Sequence, residues 1–542
     1  FLGAPESRLR DISVTGSRSG THSGVLRSYS THTGGSFLPA RPFDPGERVS
    51  VSAIVRSDGH DVHIGTTFVV GTPYLLPRPA ATPPVAVTAS NVLRFNSRRD
   101  FEPPSAVVTT PARHPSQGDV FVAPDAGAGQ SGPMILAPDG RLIWFDPVPR
   151  GQQAYDLNVQ SYAGQPVLTW WQGTVVDGHG EGFDAIESSR YVRLGNVRAG
   201  NGLAADLHDF QITPQGTAWL TAYEPVRMDL TRYGGLRSGL IEDGVVQEVD
   251  IKTGLVMFEW HAIGHVAIPD TYMRAPHEHG RTLDFFHVNS IDPLPNGDFL
   301  VSSRNTWATY LINARGSIVW RLGGKKSSFA LGDGVRFAWQ HDAELLSSGV
   351  LTVFDNEAGP PEARQSRGVE IALDEAGHRA TLVHQLTYPG RRILSQSQGD
   401  VQRLSGGDSL VGWGQVGEAT EFAANGTVTF DMHLAPPTST YRAFRYPWHG
   451  QPLRQPALRA TSPSDGVTHL WASWNGATDV ASWRVLAGSS RATLKLVATY
   501  PATGFETAID APTTAPVVRV QALSAAGHLL RSSRLVSTSA QG

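Results

Sequence analysis

The chain has 542 residues, a formal charge of −4 and no cysteine, with 57 Gly and 37 Pro against 17 % charged residues. The missing thiol excludes disulfide scaffolds, thiolate nucleophiles, Cys-ligated zinc and iron–sulfur clusters, and the near-neutral balance excludes bulk attraction to nucleic acid. No apolar run approaches the length of about 18 residues that marks a spanning helix, so no transmembrane segment is expected.

Gly and Pro together make up about 17 % of the chain, which points to many short strands joined by tight turns. The length allows two to four domains at about 150 residues each. The first residues, Phe1-Leu2-Gly3, are those expected of a processed or trimmed chain. Lysine occurs only at Lys252, Lys325, Lys326 and Lys495, so the positive charge is nearly all guanidinium, a group suited to oxyanions.

Residues 1–90 are expected to form a β-sandwich and a linker. Segments 12–15, 48–55 and 63–70 alternate apolar and polar side chains, and Phe43-Asp44-Pro45-Gly46-Glu47 reads as a turn. Pro73, Pro77, Pro79, Pro83 and Pro84 would stiffen the linker.

Residues 91–455 repeat themselves. A histidine-led strand, a turn and a second strand occur at 208–220, 287–301 and 341–353, with weaker copies starting near Tyr155 and Asp400. A closing hairpin with an aromatic second strand occurs at 135–144, 249–260, 310–320, 370–386 and 420–430. Four strands in each unit of roughly 50–60 residues, with one unit split between the two ends of the region, predict an all-β, six-bladed β-propeller. Five or seven blades are the neighbouring counts. Residues 456–542 carry period-2 strands with early tryptophans at Trp471, Trp474 and Trp483, resembling a fibronectin type III-like sandwich.

In a propeller the first strand of each blade lines the axis, so matched positions form one ring. His208, His287 and His341 each open a unit, and Asp209 and Asp342 follow two of them. Three imidazoles are therefore expected to converge; the bland reading is a polar lining that orders water. Asn289 shares the strand face of His287, and Arg304 returns to the same rim, although a structural arginine bonding carbonyls fits that position equally. Imidazoles, an amide and a guanidinium together suit a tetrahedral oxyanion such as sulfate or phosphate, and the guanidinium repels a cation, so neither metal nor cofactor is expected. A neutral imidazole is also a good nucleophile near neutral pH.

The sets Asp206-Leu207-His208-Asp209, Phe286-His287-Val288-Asn289-Ser290-Ile291, Ser302-Ser303-Arg304 and Trp339-Gln340-His341-Asp342-Ala343 resemble those of the PAPS-independent arylsulfate sulfotransferase family. Phe354-Asp355-Asn356-Glu357-Ala358-Gly359 adds to the likeness, which spans most of the repeat region. The resemblance implies a sulfated nucleophile at His341. It implies that His208, His287, Asn289 and Arg304 hold the sulfuryl group and assist the departing phenolate. It further implies a ping-pong transfer from an aryl sulfate donor to a phenolic acceptor, without a nucleotide, in a secreted or extracytoplasmic protein. The cysteine pair of some members is absent and the C-terminal appendage is extra, which marks a divergent branch. The other classes in play are a metal-dependent hydrolase or lyase built on the three-histidine ring, and a non-catalytic adhesion propeller.

Smaller features complete the reading. Pro276-His277-Glu278-His279-Gly280 reads as a surface loop rather than a metal site. The insertion 223–243 is a lid or simply a loop. Trp170, Trp171, Tyr223, Trp307 and Trp413 fall near strand ends, where they pack between blades or stack on a phenol ring. Gly323-Gly324-Lys325-Lys326-Ser327 lacks the spacing of a phosphate loop.

Overall fold

The structure is a computed structural model, and it describes residues 1–538 apart from Ala4, Asp58, Pro73, 75–84, Ala89, 114–117 and 462–465. The proposed Pro-rich linker lies almost wholly outside the described residues. The described chain is all-β with a few 3₁₀ turns, and no helix in it is long and apolar enough to cross a membrane.

Six antiparallel sheets follow one another between residues 106 and 446. Sheet A joins Asp119–Asp125, Met134–Leu136 and Leu142–Phe145 to Ser439–Tyr446, which arrives from the far end of the region. Sheet B comprises Gln153–Tyr162, Gln165–Val176, His179–Ser188 and Arg193–Val197. Sheet C comprises Phe210–Ile212, Thr217–Met228, Gly239–Asp250 and Val256–His261, with Thr282–Asp284 parallel beside Gly239–Asp250. Sheet D holds Val288–Pro293, Phe299–Ser303, Ala308–Ile312 and Ile318–Gly323. Sheet E holds His341–Leu345, Val350–Asp355, Arg367–Asp374 and Arg379–Leu386, with Ala330–Leu331 at its edge. Sheet F holds Asp400–Arg403, Ser409–Gly412, Glu418–Phe422 and Val428–Leu434, extended by Ala106–Thr110.

The strands form where apolar and polar residues alternate or run wholly apolar, and they end where glycine supplies a left-handed residue. Gly297 and Gly349, at φ +88° and +78°, close the first hairpins of sheets D and E. Each sheet buries one face against the next, and the apolar clusters run round in a cycle. Trp144 and Phe121 meet Trp170 and Leu168 between A and B; Val167 and Ile186 meet Leu220 and Val249 between B and C. Trp219 and Trp260 meet Phe299 and Tyr310 between C and D, and Leu311 and Trp320 meet Leu351 and Val369 between D and E. Phe354 and Leu386 meet Val411 and Trp413 between E and F, and Phe430 and Met432 meet Val120 and Met134 between F and A. Each fully buried Leu or Phe contributes roughly 1.5–3 kcal/mol, which explains how the chain holds without disulfides.

At the N-terminal end, Gly20–Thr21, Leu9–Gly16, Arg48–Ser57 and His60–Val69 make one sheet, and Gly24–Ser28 pairs Gly35–Pro39 in a hairpin. That hairpin is fastened to sheet C where Ser30 donates to Asp250 (2.6 Å from its N–H, 2.7 Å from its hydroxyl). At the C-terminal end, Ala457–Thr461, Thr468–Ser473 and Glu506–Ala511 face a second sheet containing Ser482–Gly488 and Val517–Leu523. Trp483, Leu470, Ile509 and Val520 fill the space between them. Asn475 clips this unit to sheet A, accepting from the N–H of Phe145 at 3.0 Å and donating to its carbonyl at 2.9 Å.

The insertion 223–243 is neither lid nor plain loop over most of its length: Thr217–Met228 and Gly239–Asp250 pair without interruption from Thr217↔Asp250 to Met228↔Gly239. Trp170, Trp171 and Trp413 are buried in the clusters between sheets.

Candidate functional site

The first strands of the sheets stand side by side and are stitched together by side chains. Asp209 accepts the N–H of Ile291 (2.9 Å), the Ser290 hydroxyl that of Ala343 (3.0 Å), Asp342 that of Val401 (3.1 Å), and Asp400 that of Ala443 (2.9 Å). These four stitching positions are equivalent, and the residues just before them are His208, Asn289, His341 and Gly399. The expected ring of three matched histidines is thereby corrected: His208 and His341 share a level with Asn289, and His287 enters from two residues upstream. His287 reaches the same space because its backbone is left-handed, at φ +54°, an uncommon state for a residue with a Cβ. The aspartates after His208 and His341 are structural, and they converge with Asp156 on the buried Arg442, at 3.1, 3.2 and 3.2 Å for Asp209, Asp342 and Asp156.

The five predicted residues fall around one centre. The imidazole of His208 lies 4.9 Å from that of His287, and Tyr441 lies 5.7 Å from His208 and 6.3 Å from His341 (ring centroids). His341 is buried, with Nδ1 2.7 Å from Asn356 Oδ1. The Asn356 amide donates to the carbonyls of Ser395 (3.1 Å) and Gln398 (2.9 Å), so Oδ1 must accept, and Nδ1 of His341 carries the proton. Nε2 is then the lone-pair nitrogen, and it accepts the N–H of Gln398 at 3.2 Å. Burial, then the Arg304 cation, holds this imidazole well below its usual pKa, so it is neutral.

Arg304 lies with its guanidinium 4.9 Å from the Trp339 ring and donates to Asn305 Oδ1 at 2.9 Å. Gly359 makes room for it: at φ +99°, any Cβ there would come within 2.6 Å of Nη2. Asn289 gives one N–H to the carbonyl of Gln340 (2.7 Å), tying down the segment that delivers His341.

His208 directs Nδ1 at Asp206 Oδ2 (2.5 Å), and His287 directs Nδ1 at Asp284. Burial alone would raise Asp206, but His208 and His179 outweigh it and the carboxyl falls to about 2. Asp284 is likewise driven down, against its burial, by His287 and His179. Among the described residues the Nε2 atoms of His208 and His287 have no hydrogen bond to protein, which leaves both facing the shared space.

His179, the first residue of the third strand of sheet B, belongs to none of the motifs named above. Its ring packs 4.1 Å from Tyr223 and 5.3 Å from His287, and Nε2 lies 3.5 Å from Asp284. Burial opposes its charge, but Asp284, Glu242 and Asp206 prevail and raise it to about 9. His287, sharing the same carboxylate, is lowered to about 4 by burial and by the two neighbouring imidazoles. Asp284, three residues before His287, was likewise assigned no part. Trp307 stacks on Tyr272 at 3.5 Å rather than facing the centre.

Two groups of described residues have metal-ligand spacing: His179, Asp284 and His287, and Glu418, Asp431 and His433. Neither is the ring of His208, His287 and His341, and neither contains His277, Glu278 or His279. In the first, Asp284 is already shared by two ring nitrogens; in the second, Arg391 bonds Glu418 and Tyr388 bonds Asp431.

A cavity of about 530 Å³ is lined in part by Gln396, Ser397 and Gln398, and none of the five predicted residues lines it. Gln398 is the residue whose N–H meets Nε2, and the Gln396 carbonyl is 3.5 Å from Arg304 Nη2. The volume lies in the range of small-molecule sites, about 300–1,000 Å³.

The model of the arylsulfotransferase (ASST) family matches residues 158–435, just over half of the chain and all five predicted residues. Among solved structures, a protein of unknown function from Bacteroides caccae is 14 % identical, with a TM-score of 0.38 over 60 % of this chain and 97 % of that one. A catalytically inactive virginiamycin B lyase from Staphylococcus aureus, with quinupristin, is 8 % identical, with a TM-score of 0.33 over 67 % of this chain and 94 % of that one. A protein of unknown function from Dyadobacter fermentans is 11 % identical, with a TM-score of 0.32 over 68 % and 94 %. No curated protein matches the chain.

Proposed function

The chain belongs to the arylsulfotransferase family, and from that premise we propose that it moves a sulfuryl group from an aryl sulfate to a phenol through a sulfohistidine at His341, without a nucleotide donor. The observation that carries the reading is the state of His341: neutral, its Nδ1–H fixed on Asn356, its lone pair on Nε2, which is released for attack once the Gln398 N–H it now accepts moves aside. A buried, oriented and uncharged imidazole is the form in which histidine is a nucleophile.

In the first half-reaction the Nε2 lone pair attacks sulfur, and the bond from sulfur to the aryl oxygen breaks, its electron pair leaving on that oxygen. His208, its Nδ1 held by the Asp206 carboxylate, gives the phenolate a proton from Nε2. In the second, His208 takes the proton of the acceptor phenol as the phenol oxygen attacks sulfur, and the pair of the breaking S–N bond returns to His341. Arg304, with the amide of Asn289 beside it, offsets the negative charge of the sulfuryl oxygens, and His287, neutral in this state, packs against the same centre. We read the six sheets as the blades of a propeller, the N-terminal sheets as a β-sandwich and the C-terminal pair as a fibronectin type III-like sandwich. An extracytoplasmic location belongs to the same reading, and a chain without cysteine has no thiol to oxidise there.

The test is to incubate the protein with para-nitrophenyl sulfate and phenol, following nitrophenol release and phenyl sulfate formation, and to weigh the intact protein after donor alone. Transfer and a sulfated histidine at position 341, both lost in His341→Ala, are expected. Wild-type protein that performs no better than His341→Ala would overturn the proposal.

A further inference from the structure

One short stretch of backbone covers both the nucleophile and the cation of the centre. Between sheets E and F the chain runs without regular structure from Arg391 to Gly399. Within it the N–H of Gln398 donates to Nε2 of His341 at 3.2 Å, and the carbonyl of Gln396 accepts from Nη2 of Arg304 at 3.5 Å. A donor thus sits on the lone pair that must attack sulfur, and a carbonyl oxygen takes the guanidinium that would hold a sulfuryl oxygen. The ends of the stretch are anchored. The N–H of Ser395 donates to the Ser366 hydroxyl (2.8 Å), its carbonyl accepts from Asn356 (3.1 Å), and the N–H of Gly399 donates to the Tyr441 carbonyl (2.9 Å). Ser395 and Gly399 are buried, whereas Gln396 is exposed and Ser397 and Gln398 are half-buried.

The middle of the stretch is held in place at a cost. Asn356 bonds the Gln398 carbonyl (2.9 Å), and the Ser395 hydroxyl and the Gln415 N–H bond that of Ser397 (3.0 and 3.3 Å). Yet Gln398 is left-handed at φ +68°, uncommon for a residue with a Cβ, and its side-chain oxygen is buried without a partner among the described residues. A shift of the segment relieves both. Room for it exists: Gln396, Ser397 and Gln398 line the cavity of about 530 Å³, which His341 and Arg304 do not line, so these three residues are the wall shared by that space and the centre.

We propose that residues 396–398 are a strap that closes the centre in the resting protein, its backbone standing in for the sulfuryl group, and that an aryl sulfate reaches His341 when the strap moves into the neighbouring cavity. The strap adds a gate to the sulfotransfer reading, on which it rests. Sulfation uses the lone pair that the Gln398 N–H binds, so the strap stays open until the group has passed to the acceptor. Asn356 keeps its orientation meanwhile through the anchored Ser395 carbonyl. Segment motions that uncover and cover the reacting groups gate many enzymes.

Hydrogen exchange read by mass spectrometry on the full chain, before and after loading with para-nitrophenyl sulfate, tests the gate, and the intact mass reports sulfation. On loading, exchange of the 396–398 amides is expected to rise about fivefold or more, while the paired strands Val350–Asp355 and Arg367–Asp374 keep their protection. A cross-link gives a second measure: Ser397→Cys with Gln415→Cys, positions whose backbones already meet, in a chain that has no cysteine of its own. The oxidised variant should sulfate His341 more slowly than the same variant reduced, on the order of tenfold or more. A sulfated protein whose strap exchange is unchanged overturns the gate. So does an oxidised variant, its disulfide confirmed by mass, that is sulfated as fast as the reduced form. The exchange comparison on wild type stands whether or not the cross-link forms. Absence of sulfation in the wild type refutes the sulfotransfer reading and the gate with it, whereas sulfation without strap opening refutes the gate alone.

Discussion

Arg442 offers a quantitative test of how the site is supported. Its side chain is fully buried and lies within 3.2 Å of carboxylates on three other sheets, Asp156 of B, Asp209 of C and Asp342 of E. Burial already pushes Asp156 and Asp342 above the ordinary value of 3.8, even with the guanidinium beside them. Replacing Arg442 by Met keeps much of the volume but strands three buried acids. Removing one partner from a buried ionic group costs about 3–5 kcal/mol, a large share of a typical domain stability of about 5–15 kcal/mol. The sign with pH follows from linkage: groups whose folded pKa is raised stabilise the fold below the unfolded value and lose that contribution as pH rises through the folded value. Losing the cation raises those carboxyls further, so the cost should be smallest near pH 4 and largest above pH 7. Urea unfolding of wild type and Arg442→Met across that range measures it. A cost below about 1 kcal/mol at pH 8, or one equal at both ends, would refute the claim that a charge network holds the centre together.

Two further outcomes are expected. Asn356→Leu removes the acceptor that fixes Nδ1–H of His341, and should lower the rate of histidine sulfation on the order of a hundredfold or more by releasing the wrong tautomer, with the fold intact by circular dichroism. His179, raised to about 9 in the fold from an ordinary 6.5, contributes stability that is complete below 6.5 and lost as pH climbs through 9. Denaturant titrations should therefore show a fall in wild-type stability over that window that is reduced in His179→Gln.

Periodicity was enough to locate the strands. The closing hairpins at 135–144 and 310–320 coincide with paired strands because apolar alternation and a turn glycine are local properties. Motif content likewise located His208, His287, Asn289, Arg304 and His341, which the structure gathers about one centre. The repeat phase misled at His287, because matching units by their first histidine ignores where the inter-sheet hydrogen bonds fall. Those bonds align Asn289, not His287, with His208 and His341.

What the amino-acid order determined by itself was the chemistry on offer: no thiol, few lysines, imidazoles and a guanidinium in repeating strands. Tertiary structure alone decided their protonation and company. His179 and Asp284 belong to no repeat match and stand 105 positions apart, yet they share a contact of 3.5 Å that divides the charge between two histidines. The tautomer of His341 depends on Asn356 and Gln398, residues of later segments. The physical reason is common to all of these: burial and neighbouring charge set a group's pKa, and both are properties of the packed ring of sheets rather than of any stretch of chain.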